Sequence, residues 1–247
     1  MSSVSPNESP AFTTTHWSLV AVVGAGADEV SRTEALKAME QLCQAYWYPL
    51  YSFARRRGYG VADAQDLTQA FFAKFLAMDG FGTADRSRGP FRSYLLGALK
   101  NFLANEWDKA KTLKRGGAVQ FLEWDALDPE ARYALEPTSG NDAELEFDRG
   151  WAMESFNRAT EKLRQECERK NKGELFETLK GCLSGEEPDR AENAQQLGMS
   201  EGAVKVSVHR LRQRFREILR SEIGQTVAEP AEVDEEMRHL VAVLRAG

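Results

Sequence analysis

Apolar residues recur at three- and four-residue spacing along most of this chain, which is the pattern of amphipathic helices. The pattern predicts a long first helix over residues 31–57, in which Pro49 should cause a kink or a split. Further helices are predicted over residues 63–76 and 91–107, in two steps between 142 and 182, and over 232–244. The positions expected to be buried include Leu42, Tyr46, Leu50, Phe53, Leu67, Phe71, Phe75, Phe91, Leu95, Ala98, Phe102, Val233, Met237, Leu240, Val241 and Leu244. The fold class that follows is all-α.

The stretch from Leu197 to Phe215 carries the most informative pattern. Gly198 can take the left-handed conformation that closes one helix, and Ser200 can cap the next. Apolar residues then recur at i, i+4, i+7 and i+11, and the opposite face is basic. The apolar positions are Val204, Val208, Leu211 and Phe215, and the basic ones are Lys205, His209, Arg210 and Arg212. This is the helix-turn-helix pattern of DNA-binding proteins, and the alternative is an exposed helix with a solvated charged face.

Local charge supports DNA binding although the whole chain has a formal net charge of −6. Residues 201–220 contain six Lys/Arg and two Glu, a net charge of +4, and residues 100–117 contain five basic and two acidic residues. Screening limits phosphate attraction to about 10 Å at 0.1 M salt, so the acidic total does not exclude a DNA-binding face. Residues 121–148 contain nine acidic residues and one Arg, and they are predicted to include an acidic linker.

These patterns predict two helical domains. An N-terminal lead covers residues 1–30, and a first domain covers 31–117. The acidic linker covers 118–142, a second domain with the helix-turn-helix covers 143–224, and a helical extension covers 225–247. Cys43, Cys167 and Cys182 lack the spacing of a metal site, so they are expected to be buried thiols in a reducing, cytoplasmic setting. The sequence predicts no signal peptide and no membrane association.

Three motifs resemble those of the two-domain sigma factors of bacterial RNA polymerase, the extracytoplasmic-function group of the sigma-seventy family. Residues 63–69, Asp-Ala-Gln-Asp-Leu-Thr-Gln, resemble the family's helix that docks on the polymerase clamp. Phe-Arg-Ser-Tyr-Leu at 91–95, with Asn101, resembles the segment that opens and reads the minus-ten promoter element. The loop at 80–90 corresponds to the loop that holds a flipped base, and residues 197–210 resemble the domain that reads the minus-thirty-five element. The resemblance spans roughly residues 31–222.

The resemblance implies a function and a set of contact residues. It implies an alternative sigma factor that binds core RNA polymerase, recognises both promoter elements and melts DNA, without an enzymatic activity or a cofactor. Polymerase binding is assigned to Asp63, Asp66 and Gln69. Minus-thirty-five recognition is assigned to Ser200, Gly202, Ala203, Lys205, His209, Arg210 and Arg212. Minus-ten recognition and melting are assigned to Arg88, Arg92, Tyr94, Lys100, Asn101, Asn105, Lys109 and Lys111. The partners are core polymerase and promoter DNA, and an anti-sigma factor or another regulator is a further candidate.

Several positions depart from the family pattern. Arg190 and Asn193 stand where the family has apolar residues in the first helix of the helix-turn-helix, and Asp108 stands where an Arg is common. A polar Asn at a packing position is expected to need a hydrogen-bond partner or a shifted helix.

The sequence has three alternative functional interpretations. A free-standing helix-turn-helix regulator with a helical sensor domain should bind duplex DNA without polymerase. An enzyme is disfavoured because the sequence contains no Ser/His/Asp set, metal-ligand spacing or glycine-rich phosphate loop. A helical scaffold leaves the basic faces unexplained.

The apolar stripe of the C-terminal extension is expected to be buried against another surface. Residues 222–247 contain six acidic and two basic residues, a net charge of −4. The extension is expected to fold back on a DNA-binding domain or to dock on a partner, tuning activity. The alternative is a packing helix that only stabilises the second domain.

Overall fold

The structure is a computed structural model that describes residues 29–77, 89–112, 133, 142–227 and 229–245. The regular structure of these residues is helical throughout, which confirms the predicted all-α class. The helices are α1 (Glu29–Arg56), α2 (Val61–Ala77), α3 (Phe91–Thr112), α4 (Ala143–Arg169), α5 (Gly173–Leu179), α6 (Arg190–Leu197), α7 (Glu201–Gly224) and α8 (Val233–Arg245). Two short 3-10 helices lie at Lys180–Leu183 and Pro230–Glu232. Outside the described residues lie residues 1–28 of the predicted lead at 1–30, and Arg88 with residues 80–88 of the loop at 80–90 that is predicted to hold a flipped base. The predicted linker at 118–142, apart from Tyr133 and Asp142, also lies outside them.

Side-chain caps and glycines set several helix ends where the sequence predicts them. The Asp142 carboxylate accepts hydrogen bonds from the Glu144 and Leu145 amides, which fixes the start of α4. Gly58 ends the turn after α1 with a φ of 91°. The predicted helix through Cys182 is shorter than expected, because α5 ends at Leu179 and a 3-10 turn continues it to Leu183. Among the described residues, no helix combines the length and the apolar character needed to cross a membrane.

Helix α1 runs through Pro49 as one helix, so of the predicted kink or split at this residue the split does not occur. Proline inside a helix costs about 3 kcal/mol because it lacks an amide hydrogen and crowds the preceding turn. Tertiary packing offsets this cost, since Tyr46, Leu50 and Phe53 on either side of the proline are fully buried. Packing against α4 therefore decides the outcome at Pro49.

The core crosses the predicted boundary between the two domains. Helix α4, the first of the predicted second domain, packs along α1, and it also contacts α7 and α8. Phe147 and Trp151 of α4 are fully buried in the same apolar cluster as Tyr46 of α1 and Phe91 of α3. The predicted domain boundaries stay a prediction, but the two predicted domains share one apolar cluster in this structure.

Helix α8 folds back onto α4 and α7, which supplies the cover that its apolar stripe requires. Val233 and Leu240 are buried as predicted, and Met237 and Leu244 pack partly buried against the core. Val241 was predicted to be buried and is 38% exposed, while Val243 is buried instead. The buried stripe is rotated relative to the prediction because it also includes Glu236, which is only 3% exposed.

Candidate nucleic-acid interface

The helix-turn-helix forms as the sequence predicts. The Asp189 carboxylate caps α6 by accepting from the Ala191 and Glu192 amides, and Gly198 closes α6 with a φ of 63°. The Ser200 hydroxyl then caps α7 by accepting from the Ala203 amide at 3.3 Å. Between them lies a turn of three residues, the length that a helix-turn-helix uses. These contacts fix how α7 leaves the turn.

The apolar back of α7 is buried as predicted. Val204, Val208, Leu211 and Phe215 are each at most 8% exposed, and the Phe215 ring meets Phe156 of α4 edge-on at 5.0 Å. Burying this stripe fixes the rotation of α7 about its axis, and its front therefore faces solvent. The departures from the family pattern in α6 do not disturb this packing, because Arg190 is exposed and Asn193 is only partly buried.

The face of α7 opposite its buried apolar stripe carries exposed cationic side chains. Lys205, His209 and Arg210 are exposed, and none of them has a hydrogen bond or an ion pair with another residue that the structure describes. Ser200 and Gly202 are exposed beside them, and Ala203 is partly exposed, at the start of the helix. Small residues at this end allow a close approach of the backbone to a ligand. The geometry therefore leaves these positions free to contact a polyanion.

Arg212 differs from the other predicted contact residues of α7. Its guanidinium donates to the Cys182 carbonyl at 3.0 Å and to the Glu186 carbonyl at 3.4 Å, and it lies 3.6 Å from the Glu187 carboxylate. Its role in this structure is to tie α7 to the segment that precedes α6. A direct DNA contact by Arg212 is therefore not supported by the geometry.

A cationic groove of about 140 Å³ lies beside the exposed cationic face of α7, between this helix and the end of α4. Lys170, Lys172, Ser207 and Arg210 contribute to its wall. Arg214 also lines it, but its guanidinium is held by two hydrogen bonds from Nε and Nη2 to the Glu166 carboxylate, at 2.9 and 2.7 Å. This hydrogen bonding lowers the pKa of Glu166, so the acid stays ionised and keeps Arg214 in place.

The predicted minus-ten residue Arg92 is not available to DNA in this structure. Its Nε lies 2.5 Å from Glu236 of α8, and its Nη1 lies 2.6 Å from Asp148 of α4. Its guanidinium stacks 4.9 Å from the centre of the Trp151 ring, and its side chain is only 12% exposed. Burial alone would lower the pKa of Arg92, but the hydrogen bond to Glu236 and the charge of Asp148 raise it above its ordinary value. In this arrangement the guanidinium of Arg92 is occupied by the two carboxylates, and its predicted contact with minus-ten DNA stays a prediction.

The other predicted minus-ten residues lie on α3 in mixed environments. Asn101 and Asn105 are exposed, while Tyr94 is partly buried, with its ring 6.1 Å from that of Phe75. Lys100 forms an ion pair with Glu144 of α4 and keeps 38% of its side chain exposed. For Lys109 and Lys111 the structure describes only the helical backbone, within α3.

A cavity of about 470 Å³ opens between the end of α1 and α3. Phe53, Tyr59 and Leu103 form apolar parts of its wall, and Arg57 and Lys100 add positive charge. An apolar wall with cations suits a planar group that carries a phosphate. This cavity was not foreseen in the sequence, because its walls come from two helices that are distant in the chain.

The residues predicted to bind polymerase lie on α2. Asp63 and Asp66 are exposed, whereas Gln69 is partly buried and its Oε1 has no hydrogen-bond partner among the described residues. Asp63 and Asp66 are thus free to meet another protein. Gln69 can contribute only through the part of its side chain that remains accessible.

Three acidic residues form ion pairs with cations of the first predicted domain. They lie at the end of the acidic stretch at residues 121–148. Glu144 pairs with Lys100, Asp148 pairs with Arg92, and Glu146 lies 3.4 Å from Arg56. The excess of negative charge over residues 121–148 was the signal that could have pointed to them.

The chain matches no protein-family model, no curated protein and no solved structure.

Proposed function

We propose that this chain is an alternative sigma factor, which binds core RNA polymerase and directs it to promoter DNA. The observation that carries the proposal is the α6–turn–α7 unit, whose solvent face presents Lys205, His209 and Arg210 without partners among the residues that the structure describes. In a helix-turn-helix, this face of the second helix enters the major groove. The groove beside it, with Lys170 and Lys172, lies where flanking phosphates would run.

The family resemblance supplies the remaining roles in the proposal. Helix α3 reads and melts the minus-ten element, and the exposed carboxylates of Asp63 and Asp66 on α2 contact the polymerase. The cavity between α1 and α3 offers an unstacked base an apolar wall, and Arg57 and Lys100 can hold its phosphate. The proposed setting is the bacterial cytoplasm.

Reconstitution with bacterial core polymerase and a promoter library tests the proposal. Core polymerase alone should initiate at few sites, and adding the full chain should produce transcripts from a subset of promoters that share two spaced elements. Transcription that does not depend on the chain would contradict the proposed function.

Substitutions on α7 identify the recognition face. Lys205→Ala and Arg210→Ala should each weaken promoter binding by the holoenzyme. Loss of a phosphate contact should reduce by about one the slope of the logarithm of the binding constant against the logarithm of salt concentration. Loss of a base contact should cost roughly 1–3 kcal/mol of binding free energy and reduce the sequence preference at one promoter position. The matched control is Lys180→Ala, which removes an exposed lysine that belongs to the 3-10 turn after α5 and pairs with Glu177. Equal effects of all three substitutions would mean that α7 is not the reading helix.

One substitution on α2 tests the polymerase contact. Asp66→Arg should abolish co-purification with core polymerase while circular dichroism shows an intact helical fold, because Asp66 is exposed and its replacement disturbs no core contact. Glu40→Arg, which reverses an exposed charge on α1, is the control. Normal assembly and transcription by the Asp66→Arg chain would contradict the docking role.

The shared core of the two predicted domains favours one alternative, a free-standing helix-turn-helix regulator whose first module is a sensor. In such a regulator the two predicted domains would stay packed together through the apolar cluster that contains Phe147 and Trp151. The regulator should bind duplex promoter DNA without polymerase and with full specificity. The sigma factor should acquire specificity only in the holoenzyme.

A further inference from the structure

We propose that α8 and the first turns of α4 form an autoinhibitory acidic cover, which occupies Arg92 and Lys100 of α3 and so withholds this helix from DNA. The proposal rests on the proposed function, since it takes α3 to be the helix that binds the minus-ten element. It goes beyond that function by giving a role to the C-terminal extension. It also gives a role to the acidic residues at the start of α4.

The contacts of Arg92 mimic those of a phosphate clamp. Glu236 accepts from Nε at 2.5 Å and from Nη2 at 3.3 Å, and Asp148 accepts from Nη1 at 2.6 Å. A guanidinium offers five donors in a planar fork, and two carboxylates here take the directions that phosphate oxygens would use. DNA and the cover therefore compete for the same atoms of Arg92.

The cover continues along α3. Glu144 of α4 pairs with Lys100, eight residues further along α3 than Arg92, and Glu144 and Asp148 are one helical turn apart on α4. His239 of α8 adds a contact at 3.1 Å between its Nε2 and the second oxygen of Asp148. Two cations of one helix thus face carboxylates from two other helices.

Backbone contact pins the same end of α3. The Phe91 amide donates to the Thr226 carbonyl at 2.9 Å, just beyond the end of α7. Arg220 of α7 forms an ion pair with Asp234 of α8, which holds the start of α8 close to this point. The first turn of α3 is therefore tied to the reading helix and to the C-terminal helix together. Reading two separate promoter elements requires these ties to open.

The test compares two single-charge substitutions in α8 of the full chain. Glu236→Gln removes the charge that holds Arg92, while Glu235→Gln removes the same charge from an exposed neighbour on the same helix. Hydrogen exchange of the Phe91 to Leu96 amides, without polymerase, reports the closed state directly. Transcription with limiting chain and saturating core polymerase reports its consequence.

The expected result is faster exchange at the start of α3 in Glu236→Gln. A rise in transcription of at least about fivefold, the lower end of typical coupling between sites, should accompany it. Glu235→Gln should match the wild type in both. Unchanged exchange in Glu236→Gln would overturn the cover, and faster exchange with unchanged transcription would show a packing contact without inhibition. Absence of transcription from wild type and variants alike would refute the proposed function, and the exchange difference would still decide whether the cover exists.

A second experiment keeps the proposal falsifiable if Glu236→Gln unfolds the chain. A chain ending at residue 228 lacks α8, and a synthetic peptide of residues 229–247 can be added back. The truncated chain should transcribe more strongly than the full chain, and the peptide should lower transcription in a dose-dependent way. The same peptide with Glu236→Gln should lower it less. A peptide without effect on an active truncated chain would overturn inhibition by α8.

Discussion

Gly150 offers a direct test of the close packing between α4 and α1. A Cβ atom at this position would lie 3.2 Å from the Cα of Pro49 and 3.4 Å from the hydroxyl oxygen of Ser52. Gly97 in α3 is the matched control, because a Cβ there would meet no atom of the described residues within 4 Å. Both glycines are helical, so replacement by alanine changes the intrinsic helix preference equally.

The expected magnitudes follow from these distances. Gly97→Ala should raise the free energy of unfolding by about 0.5–1 kcal/mol, because glycine loses more backbone entropy on folding than alanine does. In Gly150→Ala the same gain in the free energy of unfolding is opposed by a loss of about 1–3 kcal/mol from overpacking. Pro49 cannot relieve the contact by changing rotamer, since the crowded atom belongs to the backbone of α1. The net change at Gly150 should therefore lie between about zero and a loss of about 2.5 kcal/mol.

Urea unfolding of the full chain, followed by circular dichroism, measures both changes. The midpoints should move in opposite directions, or the Gly150→Ala midpoint should stay still, with equal slopes in both variants. Equal stabilisation by the two substitutions would refute the close approach of α4 to α1. A changed slope in Gly150→Ala alone would mean that the two helices no longer unfold together.

Three further measurements test the packing and the electrostatics of the chain. Trp151→Ala should cost about 3–5 kcal/mol of stability because the side chain is fully buried, whereas Met153→Ala, at a 38% exposed position, should stay within about 0.5 kcal/mol. Burial raises the pKa of the Cys43 thiol to about 12, so this thiol should resist alkylation at pH 8 until urea unfolds the chain. Hydrogen bonding to Arg164 lowers the pKa of Glu161 from 4.5 to about 2. The ionised Glu161 therefore stabilises the fold above pH 4.5, and this stabilisation is lost as the pH falls towards 2. NMR titration should show this pKa return towards 4.5 in Arg164→Ala.

Local signals explain what the sequence could predict. A glycine three residues before a helix, a serine cap and a stripe at helical spacing act within a few residues, and the caps at Gly198 and Ser200 are where these signals predict them. The all-α class and the buried stripe of α7 follow from the same short-range pattern. Their confirmation reflects agreement between the local preference and the tertiary packing at these positions.

Long-range contacts explain what the sequence could not predict. Arg92 meets Glu236 across 144 positions and Asp148 across 56, and no local pattern specifies such pairs. The inward turn of Glu236 rotates α8, and it exposes Val241 where an apolar stripe alone would bury it. The unbroken course of α1 through Pro49 has the same origin, because contacts with α4 outweigh a local preference.

The energetics of the Arg92 cluster explain why a conservative change at Glu236 should favour opening. Glu236 and Arg92 are 4% and 12% exposed, so the pair is largely desolvated in the closed chain. Removing one partner of a buried pair typically costs 3–5 kcal/mol, because the other charge stays buried without compensation. That cost falls on the closed state alone, since water or phosphate solvates Arg92 once α3 is released. Asp148 still contacts Arg92 in Glu236→Gln, so the shift should be smaller than this limit. A fivefold change in the open population needs only about 1 kcal/mol, at 1.4 kcal/mol for each factor of ten, which the loss of one of two carboxylates readily supplies.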